Sequence, residues 1–166
     1  MKNPQVKFTV ENFGDITVEL YPEKAPKTVE NFLKLVGENF YDGLIFHRVI
    51  QGFMIQGGGY DAGFEDKEAD SIYGEFRANG FPQNDIHHAR GVISMARTSV
   101  PNSASSQFFI MHNDAPYLDG QYAAFGEVIE GIDVVDKIAE TKTGRYSYFE
   151  DVPREAVVIS KAVVVD

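Results

Sequence analysis

From residue 44 onward the chain returns repeatedly to short apolar runs, LIFHRVI, FMIQGG, GVISMAR, SQFFIMH and AAFGEVIE, each set off by Gly, Pro, Asn or Asp. Runs of that length between turn residues read as strands. The N-terminus agrees: Val6, Phe8 and Val10 alternate with Gln5, Lys7 and Thr9. Asn12-Phe13-Gly14-Asp15 is turn chemistry, and Ile16, Val18 and Leu20 resume the alternation, which predicts a β-hairpin. Two segments change period. Val29, Phe32, Leu33 and Val36 stand at i, i+3, i+4 and i+7 and predict an amphipathic helix, with Pro26 in its first turn and Gly37 as a left-handed C-terminal cap. A shorter helix is predicted at GIDVVDKIAE, with Ile132, Val135, Ile138 and Ala139 inward, before a last strand in VVISKAVVVD. Many short strands with two helices imply a mainly β fold: one closed antiparallel barrel, its open ends covered by the helices.

A length of 166 residues favours a single domain, 1–166, with enough chain to bury one core. The chain has no cysteine, which excludes disulfides, a thiolate nucleophile and cysteine-ligated metal. Its formal net charge of −10 repels phosphate backbones and anionic lipid, so neither nucleic acid nor a membrane is an expected partner. MKNPQVKFTVENFGD lacks the apolar stretch and cleavage site of a secretory leader, and the expected location is the cytoplasm. Residues 60 to 89 form a long, polar, glycine-punctuated connection of the kind that is often functional.

Most candidate chemistry fades on inspection. Gly57-Gly58-Gly59 is followed by acidic YDAGFEDKEAD rather than a helix start, so it reads as a strand-end bulge or turn and not as a phosphate cradle. His87 and His88 are adjacent, diverge, and lack metal-ligand spacing; they read as loop histidines. Ser103, Ser105 and Ser106 lie in PNSASSQ with no partner base, and no nucleophile motif is present. Neither metal nor cofactor is expected.

Arg48 is harder to dismiss. It stands in FHRVIQGFMIQGG, where alternation would place Phe46, Arg48 and Ile50 on one face. A guanidinium is rarely buried unpaired. It could form a structural ion pair with one of the many carboxylates. It could instead be a single oriented donor beside Phe53, Met54, Gln56 and the aromatics of SSQFFIMH, in an apolar hollow suited to a small ring with a carbonyl beside it.

The blocks FHRVIQGFMIQGG and SMAR…NSASSQFFI resemble the signature segments of the cyclophilins, the peptidyl-prolyl cis-trans isomerases. The likeness continues through GDITVELYPEKAPKTVENF, YLDGQYAAFGEV and GIDVVDKI, and the tail TGRYSYFEDVPREAVVI resembles the compact bacterial branch. The resemblance implies an eight-stranded antiparallel barrel capped by two helices. It also implies rotation about X–Pro bonds of proline-containing peptides and of unfolded or folding proteins, without cofactor or covalent intermediate. Nothing in the sequence demands more than a monomer, which is the expected state. Carried onto this sequence, it makes Arg48 the catalytic donor, Gln56 its orienting partner, and Phe53, Met54, Phe109 and Leu118 the proline pocket. Ala96, Arg97 and Gln107 flank the peptide groove, with Tyr117 and Tyr122 at its rim, and His47 is structural. Arg97 replaces a frequent Asn, Tyr122 a pocket histidine, and Tyr117 the tryptophan used by many eukaryotic members to bind cyclosporin, which implies weak cyclosporin binding here. A module that holds proline segments without turning them over, and a barrel with a ligand inside, are the alternatives.

Overall fold

The first hairpin follows the alternation. In the computed structural model, which describes residues 3–147 and 149–165, β1 (Gln5–Val10) pairs antiparallel with β2 (Gly14–Leu20), Val6 opposite Val18 and Phe8 opposite Ile16. Val6, Phe8, Val10, Ile16, Val18 and Leu20 all turn inward and are buried. The chain then enters α1 (Pro26–Gly37), whose buried residues are Thr28, Val29, Phe32, Leu35 and Val36. Leu33, expected in that stripe, is only partly buried against the core. Gly37 is the last helical residue rather than a left-handed cap; the left-handed conformation falls to Asn39, at φ 60°.

Strands β3 (Arg48–Ile50), β4 (Met54–Gly57), β5 (Val92–Met95), β6 (Phe108–Met111), β7 (Ala124–Glu130) and β10 (Ile159–Val165) complete an eight-stranded sheet. Its order is β10-β1-β2-β7-β5-β6-β4-β3, and each neighbouring pair is antiparallel. The expected closed barrel is therefore a curled sheet whose two outer strands do not form a ladder. The chain just before β3 completes the circle: Phe46 N–H donates to Val157 O, and Gly43 N–H and Ile159 N–H bond Ile159 O and Leu44 O. Helix α2 (Ile132–Ala139) lies against β2, β3 and β4 and buries Val134, Val135, Ile138 and Ala139. Residues of the tail form a hairpin that the sequence reading did not separate, β8 (Thr143–Tyr146) with β9 (Phe149–Pro153), and β9 packs on β3.

The interior is filled. Phe108 stacks on Phe8 at 5.2 Å and meets Phe32, Tyr41 and Phe46 edge-on. Aromatic pairs in these arrangements add to the burial of their large apolar surfaces. A ligand held inside the barrel is excluded by this packing.

Because side chains alternate across a strand, FFIM in β6 serves both faces of the sheet. Phe108 and Ile110 point into the barrel core, and Phe109 and Met111 point outward. Met54, Val92 and Ala124 join them in a second, outer apolar cluster, against which Ile50, Phe53, Ala96, Leu118 and Tyr122 pack. That outer cluster carries the site.

Candidate active site

Arg48 opens β3, opposite Gln56 of β4. Phe46 does not share its face, contrary to the alternation argument: strand pairing begins only at Arg48, so Phe46 drops into the barrel core while the Arg48 side chain is exposed. Among the described residues no carboxylate pairs with Arg48. Its Nη1 donates to Gln56 Oε1 at 3.3 Å, and Gln56 Nε2 donates in turn to Gln107 Oε1 at 3.0 Å. The rest of the planar donor fork is left facing outward.

Beside the guanidinium lies a hollow of about 130 Å³ lined by Arg48, Phe53, Met54, Gln56, Ala96, Arg97, Phe109, Leu118 and Tyr122. Its walls are the outer apolar cluster and its one cationic edge on β3 is Arg48. A second hollow of about 150 Å³ shares Gln56, Ala96 and Arg97 with it and adds Thr98, Ser103, Ser105 and Gln107. Tyr117 lines neither; it is 71% exposed and stacks on Phe53 with ring centres 6.2 Å apart. Sequence reasoning passed over Thr98, and met Ser103 and Ser105 only as rejected nucleophiles. Their polar run before SQFFI was the available signal for a groove wall.

The three glycines now have a structural reason. A Cβ on Gly57 would come within 2.6 Å of Ile45 O, and Gly58 has φ +91° beside Tyr41 and Phe108. A Cβ on Gly59 would stand 2.5 Å from Gln107 Nε2. The glycines let the chain pass close to the barrel wall and seat the amide that braces Gln56.

Arg97 and Tyr122, two departures from the familiar pattern, meet each other. The Arg97 guanidinium lies between the rings of Tyr122 and Phe76, at 4.7 and 4.8 Å, and donates twice to Gln121 O. A cation held against two rings is fixed in place as part of the wall of both hollows.

Behind the pocket His88 lies in a loop, as expected, but its side chain is buried. Its ring lies nearly parallel to Phe109, Nδ1 faces Asp119 Oδ1 at 3.1 Å, and Nε2 faces Ser94 Oγ at 2.9 Å. Burial pushes its pKa down, and Asp119 only partly offsets this. Neutral His88 thus donates from Nδ1 and accepts from Ser94, tying the residue after Leu118 to the floor of the pocket.

His47 is buried too, its ring edge-on to Tyr60, and its pKa is lowered to about 4 by burial and then by the neighbouring Arg48 charge. Folding therefore favours neutral His47. Stability is untouched above the ordinary histidine pKa near 6.5 and falls as pH drops from there toward 4, where the unfolded chain binds the extra proton. Urea unfolding at pH 7 and pH 4 should differ by about 3 kcal/mol more in the wild type than in His47→Leu. Equal pH dependence in both proteins would remove His47 as the cause.

An outward apolar pocket, a guanidinium with no carboxylate partner among the described residues at its edge, and an adjoining polar hollow define the class of site: room for a small ring with a hydrogen-bond donor beside it. The comparisons give that class its family. Residues 5–164 match the family described as cyclophilin type peptidyl-prolyl cis-trans isomerase/CLD, and the chain belongs to it. It is 44% identical over 161 residues to peptidyl-prolyl cis-trans isomerase B of Escherichia coli K12, covering 92% of this chain and 95% of that protein. A peptidyl-prolyl cis-trans isomerase of Acinetobacter baylyi is 46% identical over 153 residues, covering 89% and 79%. A crystal structure of a Cryptosporidium parvum cyclophilin type isomerase superposes with a TM-score of 0.77 at 29% identity, covering 99% of this chain and 98% of that one. Another structure of that protein, in the presence of the dipeptide Ala-Pro, gives a TM-score of 0.76 at 30% identity, covering 98% and 99%.

Proposed function

We propose that this chain, acting as one isomerase domain over 1–166, catalyses cis–trans rotation about X–Pro bonds at the pocket beside Arg48. Its substrates are proline-containing segments of unfolded and folding proteins in the cytoplasm, and it works as a monomer. The observation that carries this reading is a guanidinium with no carboxylate partner among the described residues, at the edge of an apolar hollow sized for one ring.

Rotation is slow because amide resonance resists it, with a barrier of about 18–20 kcal/mol. No bond breaks, so the site needs neither nucleophile nor base. As the bond twists, the prolyl nitrogen loses conjugation and regains a lone pair. A fixed Arg48 N–H can donate to that nitrogen in the twisted state alone, which is differential binding of the transition state. Gln56, braced by Gln107 over Gly59, sets the plane of the fork. Phe53, Met54, Phe109 and Leu118 hold the ring while Ala96, Arg97, Gln107 and the rim residues Tyr117 and Tyr122 guide the flanking chain.

Uncatalysed rotation takes roughly tens to hundreds of seconds. A turnover on the order of 10–10³ s⁻¹ then requires about 3–7 kcal/mol of barrier lowering. One hydrogen bond from a charged donor supplies about 1.5–3 kcal/mol. The remainder falls to the pocket, which fixes the ring while the preceding residue turns.

The test is exchange between cis and trans forms of a blocked Ala-Pro peptide, read by NMR or by a coupled protease. The folded protein is expected to accelerate it, and cyclosporin to inhibit it only weakly, since Tyr117 offers no indole N–H. A folded protein that leaves the exchange rate unchanged removes the proposal.

A further inference from the structure

His112 has no part in the chemistry above, yet it connects helix α2 to the turn that carries Phe53. The β3–β4 turn, Ile50 to Phe53, is closed by Phe53 N–H donating to Ile50 O. Gly52 has φ +81°, and Gln51 is not among the positive-φ residues. Those features are those of a type II turn, in which the 51–52 peptide has one definite sense. The Gly52 N–H in that sense donates to His112 Nδ1 at 2.8 Å. Phe53 O accepts from His112 N–H at 2.9 Å and from Asn113 N–H at 3.3 Å. One residue therefore holds the turn from both its backbone and its ring.

A ring nitrogen that accepts a backbone N–H carries no proton. The proton of neutral His112 is then on Nε2, which lies 3.1 Å from Asp136 Oδ1. Asp136 is fixed by a two-pronged bond from Arg90, with Nη1–Oδ1 at 2.6 Å and Nη2–Oδ2 at 2.8 Å. That bond holds the Asp136 carboxyl below the ordinary carboxylate range, so it is a full acceptor for Nε2–H. Arg90 Nη1 also donates to His112 O. The charged groups against the imidazole are thus Asp136 of α2 and Arg90 ahead of β5. Asp114, two residues on, binds the Arg90 amide. Gln51, Gly52 and Phe53 on the turn side carry no charge.

We infer that His112 positions the Phe53 wall of the proline pocket, through a ring whose orientation Asp136 fixes. Without an acceptor at the place of Nδ1 the bond from Gly52 N–H is lost and the 51–52 peptide is free to flip. Phe53 then loses the support that holds its ring at the pocket edge. The reacting bond and Arg48 are not touched, and Met54, Phe109 and Leu118 still fix the ring once it is seated, so the loss falls on substrate binding.

This inference rests on Phe53 lining the substrate pocket, and the experiment separates the two. Steady-state exchange of a blocked, uncharged Ala-Pro peptide is measured for wild type, His112→Ala, His112→Asn and Phe53→Ala, with folding followed by circular dichroism. His112→Ala should raise KM about three- to ten-fold, the worth of one net hydrogen bond, with kcat nearly unchanged. His112→Asn places an amide oxygen near Nδ1 and should keep the wild-type KM. A rise in KM alone, rescued by the amide, is a pattern a merely structural role would not produce. An unchanged KM in His112→Ala, or a KM in His112→Asn raised as far as in His112→Ala, overturns the inference. If Phe53→Ala raises KM in those cases, the pocket reading survives alone. If Phe53→Ala leaves KM unchanged, both fall.

Discussion

Arg48→Ala is expected to lower kcat and kcat/KM for an Ala-Pro peptide together, by about 10²–10³-fold, the usual loss when one preorganised transition-state donor is removed. KM should move little, because the lone pair that Arg48 meets exists only in the twisted bond. The fold should survive. Arg48 is exposed on an outer strand, its only side-chain bond among the described residues is the 3.3 Å contact to Gln56, and surface substitutions of this kind stay within about 0.5 kcal/mol. Arg48→Lys keeps the charge but replaces a planar, braced fork by a mobile point donor, and should recover only part of the rate. A binding module that merely holds proline segments would show the opposite pattern, with unchanged peptide affinity and no rate to lose. Measuring kcat and KM separately by NMR exchange decides between them; activity of Arg48→Ala within threefold of wild type would rule out the donor role.

The sequence made the fold legible where one face is buried and the other wet. Val6 to Leu20 alternates cleanly because its hairpin has such faces, and α1 shows its stripe for the same reason. Legibility failed where the alternation breaks or is absent. In FHRVI a period of two puts Phe46 beside Arg48, yet Phe46 is in the barrel and the arginine outside, since the chain is not a strand until residue 48. The short hairpin of β8 and β9 lacks clean alternation, with much of β8 exposed, and carries no pattern to read. His88 is the loop residue it looked like, but nothing in HHAR reveals that Asp119 and Ser94 will enclose one imidazole and leave its neighbour in solvent. Local spacing identified the pocket walls only with the family resemblance beside it. The braces of the site, Gln107 over Gly59 and Arg97 between Tyr122 and Phe76, are contacts between distant segments and have no local signature.

The long connection between residues 60 and 89 supplies the second large effect. Helix α1 begins with Ala25 at its N-cap, which has no side chain able to satisfy the free N–H groups of the first turn. Glu75, 1% exposed, does so from the connection: its carboxylate accepts Lys27 N–H at 3.1 Å, Thr28 N–H at 2.7 Å and the Thr28 hydroxyl at 2.6 Å. An anion at a helix N-terminus also meets the positive end of the helix dipole. Asn84 fixes the segment by donating to Glu75 O and Ala124 O. Glu75→Ala leaves buried donors without partners, at about 1–3 kcal/mol for each unsatisfied group, and recovers some of the cost of burying a charge. A net loss of about 2–4 kcal/mol is expected, a fall in Tm of roughly 5–15 °C for a chain of this size. Glu75→Gln keeps an acceptor without the charge and should lose about half as much. The consequence reaches the groove, because the residue after Glu75 is Phe76, one of the two rings that hold the Arg97 guanidinium. Thermal unfolding of both variants measures the cap. A Glu75→Ala protein melting within 2 °C of wild type would mean that water replaces the carboxylate at no cost, and that the connection is held by its other bonds.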